Sequence, residues 1–461
     1  MRSLTDPTNT LARGLAEIRT QFKVPTGFPP EVATAAEAAA RRAPSEHADR
    51  TDTPFVTLDP ASSTDLDQAF FIEASGRDLL LRYAIADVAW FVSDGDPVDA
   101  EAWDRGETIY LPDGKASLYP EALSQDAASL LPNGPRPAVI FTVRVAEDGA
   151  VKLDGAERAI IRSKAKLAYD SVTEADLPVG FAELSRRISA AEAARGASRV
   201  DPPEQEVEHV GNGVFQLRFR PLLKSEEQNA AMSLAANMAI ADALLAHKTG
   251  LFRVMAEPDA YAVKRLRNTA KAFGLGWPGG QSLQDFQRAL DGAEPRQAAM
   301  MLAIRRAGDG ASYVPYEEGV KPWHAAMAAT YAHATAPLRR LADRYVVMAT
   351  LAIANGRPVP DAVAQAFDRL PKVMAKADGH AGQVSRAVID LAEAVMLDGR
   401  EGEVFPAVVT DLTERGVRMQ LSELPVVANI RAQKVKPGDS VKVKLISADP
   451  GQRLVTFGRV G

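Results

Sequence analysis

Asp59, Asp65 and Asp67 fall in one short stretch, Thr57-Leu-Asp-Pro-Ala-Ser-Ser-Thr-Asp-Leu-Asp-Gln68, directly after the apolar run Pro54-Phe-Val-Thr-Leu58. Carboxylates held this close repel one another, and a fold tolerates that when a cation sits among them. Magnesium prefers a few carboxylates together with water and substrate phosphates, so the stretch reads as a magnesium site for phosphate chemistry. Ordinary turn chemistry is a competing reading, because Asp-Pro and Ser-Ser-Thr-Asp side chains bond their own backbone. A calcium EF-hand loop does not fit: Ala61 and Thr64 stand where that loop needs an oxygen ligand and a glycine. An Asp-x-Asp phosphatase nucleophile remains open.

A second constellation, Tyr331-Ala-His-Ala-Thr-Ala-Pro-Leu-Arg-Arg-Leu-Ala-Asp-Arg344, places Arg339 and Arg340 just after Pro337. A fixed guanidinium offers several donors, keeps its charge, and suits charge developing on phosphate oxygens. Pro337 suits the first turn of a following helix, whose positive end favours phosphate. A solvated helix face is the alternative for one of the two arginines, and Asp343 is placed to orient either. Tyr110, in Thr108-Ile-Tyr-Leu-Pro112, can stack a base, because every base has a π face; a half-buried core tyrosine is the alternative. In Ile160-Ile-Arg-Ser-Lys-Ala-Lys-Leu-Ala-Tyr169, period-two spacing would put Arg162, Lys164 and Lys166 on one face of a strand. No histidine pair has metal-ligand spacing, so zinc is not expected.

These segments, in this order, resemble the RNase II family, the RNB-domain exoribonucleases. Asp59, Asp65 and Asp67 fall on three of the family's four aspartates, and Gln68 stands at the fourth. Gln68 is taken as a subfamily feature: an amide oxygen can coordinate or orient water but brings no charge. The second constellation is similar to the family's Thr-Ser-Pro-Ile-Arg-Arg-Tyr-x-Asp motif, which puts Arg339 at the scissile phosphate and Arg340 beside the substrate. Thr108 to Pro112 with Tyr119-Pro-Glu-Ala-Leu-Ser124 resembles a Tyr-Leu-Pro … Leu-Pro-x-x-Leu-Ser stretch, which makes Tyr110 the tyrosine that stacks the terminal nucleotide. Tyr169 is a further substrate contact. Lys224 to Asn237 resembles the helix carrying an acid near the ribose, with Glu227 the candidate and Asn229 beside it. A carboxylate accepting from a 2′-hydroxyl would distinguish RNA from DNA. The resemblance implies a Mg2+-dependent enzyme (Mn2+ as substitute) that hydrolyses single-stranded RNA from the 3′ end to nucleoside 5′-monophosphates. Asp59, Asp65, Asp67 and Gln68 would hold the metal, with Asp65, Asp67 and Arg339 catalytic. A non-catalytic RNA-binding protein of the same fold and a metal-dependent phosphatase are the rivals.

The elements that must position these residues follow from pattern. The chain has 461 residues, 46% hydrophobic and 25% charged, with no cysteine, which excludes disulfides, thiolate zinc sites and cysteine nucleophiles. Lys and Arg total 54 against 60 Asp and Glu, so any nucleic-acid surface must be local. No apolar run approaches a membrane span and no signal-peptide pattern follows Met1, so a cytoplasmic location is expected; the chain is separately expected to be a monomer. Residues 1–53 read as a helical module, either helix-turn-helix-like or a packing flap. Residues 54–397 read as an α+β, RNB-type catalytic domain, with strands at Asp78–Ala86, Ala138–Val145 and Gly213–Phe219, then helices at Ser225–His247 and Ala325–Ala354. Residues 398–461 carry five short β runs, an OB-fold barrel in which alternation puts Lys442 and Lys444 on one face toward RNA.

Overall fold

The computed structural model describes residues 9–460 apart from 199–203, 212–213, 221, 293, 309, 414–415 and 433. Two helices open it, α1 (Thr10–Gln21) and α2 (Pro30–Ala40). Leu11, Leu15 and Ile18 recur at helical spacing and bury one face of α1 against the long helix near the end of the chain. Val32, Ala36 and Ala39 instead commit α2 to the main core. The two helices therefore dock separately, which is the packing-flap alternative and not a helix-turn-helix.

The main unit is built on a seven-stranded mixed sheet. Its strands are β1 (Ala48–Asp49), β2 (Val56–Asp59), β3 (Gln68–Ser75) and β4 (Asp78–Ala86), then, after a small hairpin of β5 (Ile109–Leu111) and β6 (Gly114–Ala116), β7 (Arg136–Val145), β8 (Val151–Ile161) and β9 (Ala165–Ala168). The order is β1-β8-β7-β4-β3-β2-β9, with β1–β8 and β2–β9 parallel and the other pairs antiparallel. β2 and β3 are consecutive strands and neighbours, so the chain between them leaves and re-enters at one end of the sheet. Asp59 ends β2, and Asp65 and Asp67 lie in that connection. Two short helices, α3 (Val88–Phe91) and α4 (Pro97–Arg105), lie between β4 and the hairpin, and α5 (Phe181–Ala194) follows β9.

A two-stranded ribbon, β10 (Glu204–Gly211) and β11 (Val214–Arg220), leads into α6 (Lys224–Ala246). The expected start of the second of these strands, Gly213, lies outside the described residues. Among the described residues α6 is the one helix long and apolar enough to cross a membrane, with a mean hydropathy of 1.3 over its best window, but 61% of that window is buried within the protein. It packs on β8 and β7 as a core helix. After β12 (Leu251–Met255) come α7 (Ala260–Ala272), α8 (Leu283–Arg288) and α9 (Pro295–Ala307), which share their own small apolar core, then β13 (Ala311–Pro315), which pairs with β12.

The helix expected over Ala325–Ala354 is half that length: α10 runs from Leu341 to Ala354. Ala328 has a positive φ of 46°, and Pro337 lies in a turn, so residues 328–340 form an extended loop. Pro337 is consequently outside the helix, and the expected helix-end phosphate site is not formed there. α11 (Asp361–Leu397) spans 37 residues and ties α1, the hairpin and the C-terminal unit together. That unit is a nearly closed antiparallel barrel of β14 (Val404–Thr413), β15 (Gly416–Leu421), β16 (Val427–Ile430), β17 (Ser440–Asp449) and β18 (Leu454–Val460), in the order β16-β15-β14-β17-β18. Val441, Val443 and Leu445 point inward, and Lys442 and Lys444 outward and exposed, as the alternation requires.

Candidate active site

The loop between β2 and β3 is fixed by backbone bonds rather than by its acids. Leu66 N–H donates to Ser129 Oγ at 2.8 Å, Ser129 Oγ donates to the Thr64 carbonyl at 2.7 Å, and Leu130 N–H donates to the Leu66 carbonyl at 3.0 Å. Lys166 Nζ donates to the Ala61 carbonyl at 2.8 Å. This scaffold leaves the carboxylates free to point at other elements.

Asp67 is buried, and its two oxygens meet the arginine loop. Oδ1 accepts from Leu338 N–H at 2.7 Å, and Oδ2 pairs with Arg339 Nε at 3.2 Å. Burial pushes the Asp67 carboxyl up to about 7 against the pull of Arg339 and the Leu338 N–H, and Asp65 pushes it further the same way. Burial opposes the Arg339 charge, but Asp67 outweighs it and holds the guanidinium above its ordinary value. The Arg339 side chain is still 44% exposed, so it can reach a ligand from the open side. Asp59 is pushed up to about 6 by burial, opposed by Arg339 and reinforced by Asp65. Its carboxylate makes no hydrogen bond or ion pair among the described residues.

The arginine loop is itself clamped. Asp343, fully buried, accepts from Ala336 N–H at 2.8 Å and takes Arg340 on both oxygens at 2.9 and 2.7 Å. Thr108 N–H donates to the Arg339 carbonyl at 3.0 Å, and Leu341 N–H to the Gly106 carbonyl at 2.9 Å. Arg340 is thus clamped by Asp343, whereas Arg339 faces the acids.

Over the acidic loop lies the β5–β6 hairpin. Tyr110 pairs with Lys115 across it, so both side chains leave the same face. Lys115 Nζ binds Asp65 Oδ1 at 2.7 Å, and the Tyr110 hydroxyl points to Asp65 Oδ2 at 3.4 Å. Tyr110 is 52% exposed, which removes the core-tyrosine alternative. Tyr169 stands on the other side, its hydroxyl accepting from Asn229 Nδ2 at 2.8 Å and its N–H donating to the Asp59 carbonyl at 3.2 Å. Burial and then Asp59 push the Tyr169 hydroxyl up to about 12, so it stays protonated.

Three expectations change. Gln68 offers the acid cluster no free oxygen: its Oε1 accepts from the Tyr83 hydroxyl and from Ser233 Oγ, the latter at 3.0 Å. Glu227 is exposed, and its carboxylate makes no hydrogen bond or ion pair among the described residues; the face of α6 bonded to Tyr169 and Gln68 carries Ser225, Asn229 and Ser233, which are four residues apart. Arg162, Lys164 and Lys166 do not share one strand, because β8 ends at Ile161 and β9 begins at Ala165; Lys164 instead bonds the Thr51 carbonyl, and Lys166 alone reaches the acidic loop. Lys442 and Lys444 lie on the barrel, apart from this cluster.

No three acidic or imidazole side chains among the described residues converge as a ready-made metal cluster. The expected four-oxygen set is therefore not preassembled: Lys115 and Arg339 neutralise Asp65 and Asp67 instead. The donors nevertheless fit a hard divalent ion. Asp59 is unpartnered among the described residues, and both Asp59 and Asp67 are raised by burial and by Asp65, the signature of a site short of positive charge.

Residues 47–355 match the RNB domain family and residues 403–460 the RNase II-type exonuclease C-terminal S1 domain. The chain belongs to the RNB-domain family. Among particular relatives, Ribonuclease R 1 of Lactococcus lactis is 24% identical over 94% of this chain, and the match spans 59% of that protein. A Mycoplasma genitalium RNase R, solved in complex with ribose-methylated single-stranded RNA, superposes with a TM-score of 0.87 at 21% identity, covering 98% of this chain and 78% of that one. Yeast Ssd1, described as a pseudonuclease, superposes with a TM-score of 0.65 at 15% identity, covering 96% of this chain and 57% of that one.

Proposed function

We propose that this chain hydrolyses single-stranded RNA from its 3′ end, releasing nucleoside 5′-monophosphates with Mg2+, or Mn2+ in its place. The observation that carries the reading is the meeting of Asp67 with Leu338 N–H and Arg339 in an RNB fold: a buried carboxylate, a fixed N–H and a half-open guanidinium converge on one point. Asp59, Asp65 and Asp67 would hold the divalent ion, which supplies Lewis acidity toward the attacking water and the leaving oxygen. Arg339, oriented by Asp67, presents its free N–H groups to the non-bridging oxygens and stabilises the charge that grows there. Tyr110, itself exposed, offers its ring to the terminal base. Tyr169, held by Asn229 and kept neutral, donates a hydrogen bond beside Asp59. The outward Lys442 and Lys444 of the barrel would meet phosphates upstream on the strand.

A binding protein without turnover is the second reading, favoured by the uncharged Gln68 turned toward Tyr83 and by the likeness to a pseudonuclease. Incubation of 5′-labelled and 3′-labelled RNA with the chain and Mg2+ separates the two. Exonuclease action releases label at once as a mononucleotide from the 3′-labelled strand and shortens the 5′-labelled strand stepwise. Retarded but intact RNA supports the binding reading, and early release of the 5′ label rejects the direction.

A further inference from the structure

Gln68 and Lys115 together alter the charge of the acidic loop. Gln68 contributes no charge, and its amide oxygen is already taken by two hydroxyls, from Tyr83 and Ser233. Lys115 adds a cation, and with Tyr110 it engages both oxygens of Asp65. This is not a loose surface pair: the Lys115 and Asp65 side chains are 19% and 11% exposed. Nor is the lysine free to wander. Cross-strand pairing with Tyr110 fixes its face, and its strand neighbour Ala116 and Ile109 opposite are buried in the cluster formed by Leu11, Leu15 and Ile18 of α1. Arg19 of α1 holds the turn of the hairpin through Asp113 at 2.8 Å.

Three cations, Lys115, Arg339 and Lys166, already stand around these aspartates, with Lys115 paired to Asp65 and Arg339 to Asp67, and none bonded to the Asp59 carboxylate. A single divalent ion can enter against Asp59, whose carboxylate is unpartnered among the described residues. A second would need Asp65, which the ammonium already neutralises, and two dications a few ångströms apart repel strongly unless carboxylates lie between them.

The structure assigns Lys115 as a built-in cation of the site: its ammonium stands at Asp65 in place of a second metal ion, and the site takes one divalent ion per chain. The inference rests on the metal-dependent reading proposed above. An ammonium is a compact point charge with rotatable donors, so it can also turn from Asp65 to a phosphate oxygen when a strand is bound.

Metal binding tests this without reference to turnover. The full chain, free of RNA, is titrated with Mn2+ and the free ion followed by electron paramagnetic resonance, for wild type, Lys115→Met, Lys115→Arg and the double variant Lys115→Met/Gln68→Asp, each checked for an unchanged melting curve. Wild type and Lys115→Arg should bind one ion. Lys115→Met should bind its ion ~10-fold more tightly, the equivalent of about 1.4 kcal/mol, because a competing positive charge is gone. The double variant should take a second ion. Two ions in wild type, or Lys115→Met with wild-type affinity and stoichiometry, would overturn the assignment. A folded wild type that binds no ion at all would instead overturn the metal-dependent reading on which it stands.

Discussion

Replacing Asp343 by alanine should unfold the site from behind. The Asp343 carboxylate is fully buried and holds three donors: Ala336 N–H at 2.8 Å and two N–H groups of Arg340 at 2.9 and 2.7 Å. Its loss leaves a guanidinium whose side chain is 24% exposed without its counter-charge, and one buried N–H without an acceptor. Breaking a buried pair costs about 3–5 kcal/mol, and an orphaned N–H about 1–3 more. Partial solvent access to Arg340 argues for the low end, about 4 kcal/mol in all. For a unit of this size that corresponds to a fall in Tm of roughly 6 °C. Differential scanning fluorimetry measures it. The substitution Arg340→Met on top of Asp343→Ala should recover part of the loss, because the stranded charge is then removed. The same turn delivers Leu338 N–H and Arg339 to Asp67, so turnover should also fall by ~10²-fold, comparable to removal of one preorganised donor. A Tm within 1 °C of wild type, or a double variant less stable than Asp343→Ala alone, would refute the reasoning.

Three further outcomes follow from single contacts. Arg339→Lys keeps a charge but loses the planar fork that meets Asp67 and a phosphate together, so kcat should drop ~10²-fold with RNA affinity little changed; a near-wild-type rate would remove Arg339 from the chemistry. Glu393 of α11 is buried and accepts from Val427 N–H of β16 and from Gln205 of β10 at 2.8 and 2.6 Å, and burial pushes its carboxyl up to about 7. The folded chain therefore binds this proton more readily than the unfolded one. Stability should fall by up to ~3 kcal/mol as pH rises from about 4.5 to 7, and Glu393→Gln should flatten that slope; denaturant midpoints across the range measure it. Replacing both Lys442 and Lys444 by alanine should weaken single-stranded RNA binding and reduce the slope of log affinity against log salt by ~1.4; an unchanged slope would mean that this barrel face does not touch phosphate.

What the sequence disclosed was chemistry concentrated in contiguous motifs. The aspartate loop and the arginine segment each carry several functional residues within a few positions, and the fold joins them through Asp67 and Arg339 as their residue types suggest. The inward–outward alternation of β17 was equally legible, because a strand has an unambiguous period. Residues supplied by tertiary pairing were missed. Lys115 reaches Asp65 only because a two-residue turn sets it opposite Tyr110, and the Pro-Asp-Gly sequence between them was the available signal. On α6, choosing Glu227 followed the residue type, whereas the spacing of Ser225, Asn229 and Ser233 gave the face bonded to Tyr169 and Gln68. The length of α10 was overestimated because an alanine-rich run has helical propensity throughout, and only the tertiary clamp on residues 336–341 breaks it.

If Asp67 belongs to a hydrolytic site for RNA, and not merely to the packing of the arginine loop, turnover must depend on its charge. Asp67→Asn is nearly isosteric and keeps an oxygen that can accept from Leu338 N–H, while removing the charge that orients Arg339. A single-turnover experiment with 5′-labelled RNA and Mg2+, run beside a direct measure of RNA affinity on the same preparations, reads both properties at once. Wild type should shorten the RNA stepwise to completion, and the variant should bind RNA within about threefold of wild-type affinity but leave it intact. Hydrolysis by Asp67→Asn at a rate close to wild type, or intact RNA with both proteins, would contradict a hydrolytic role for Asp67.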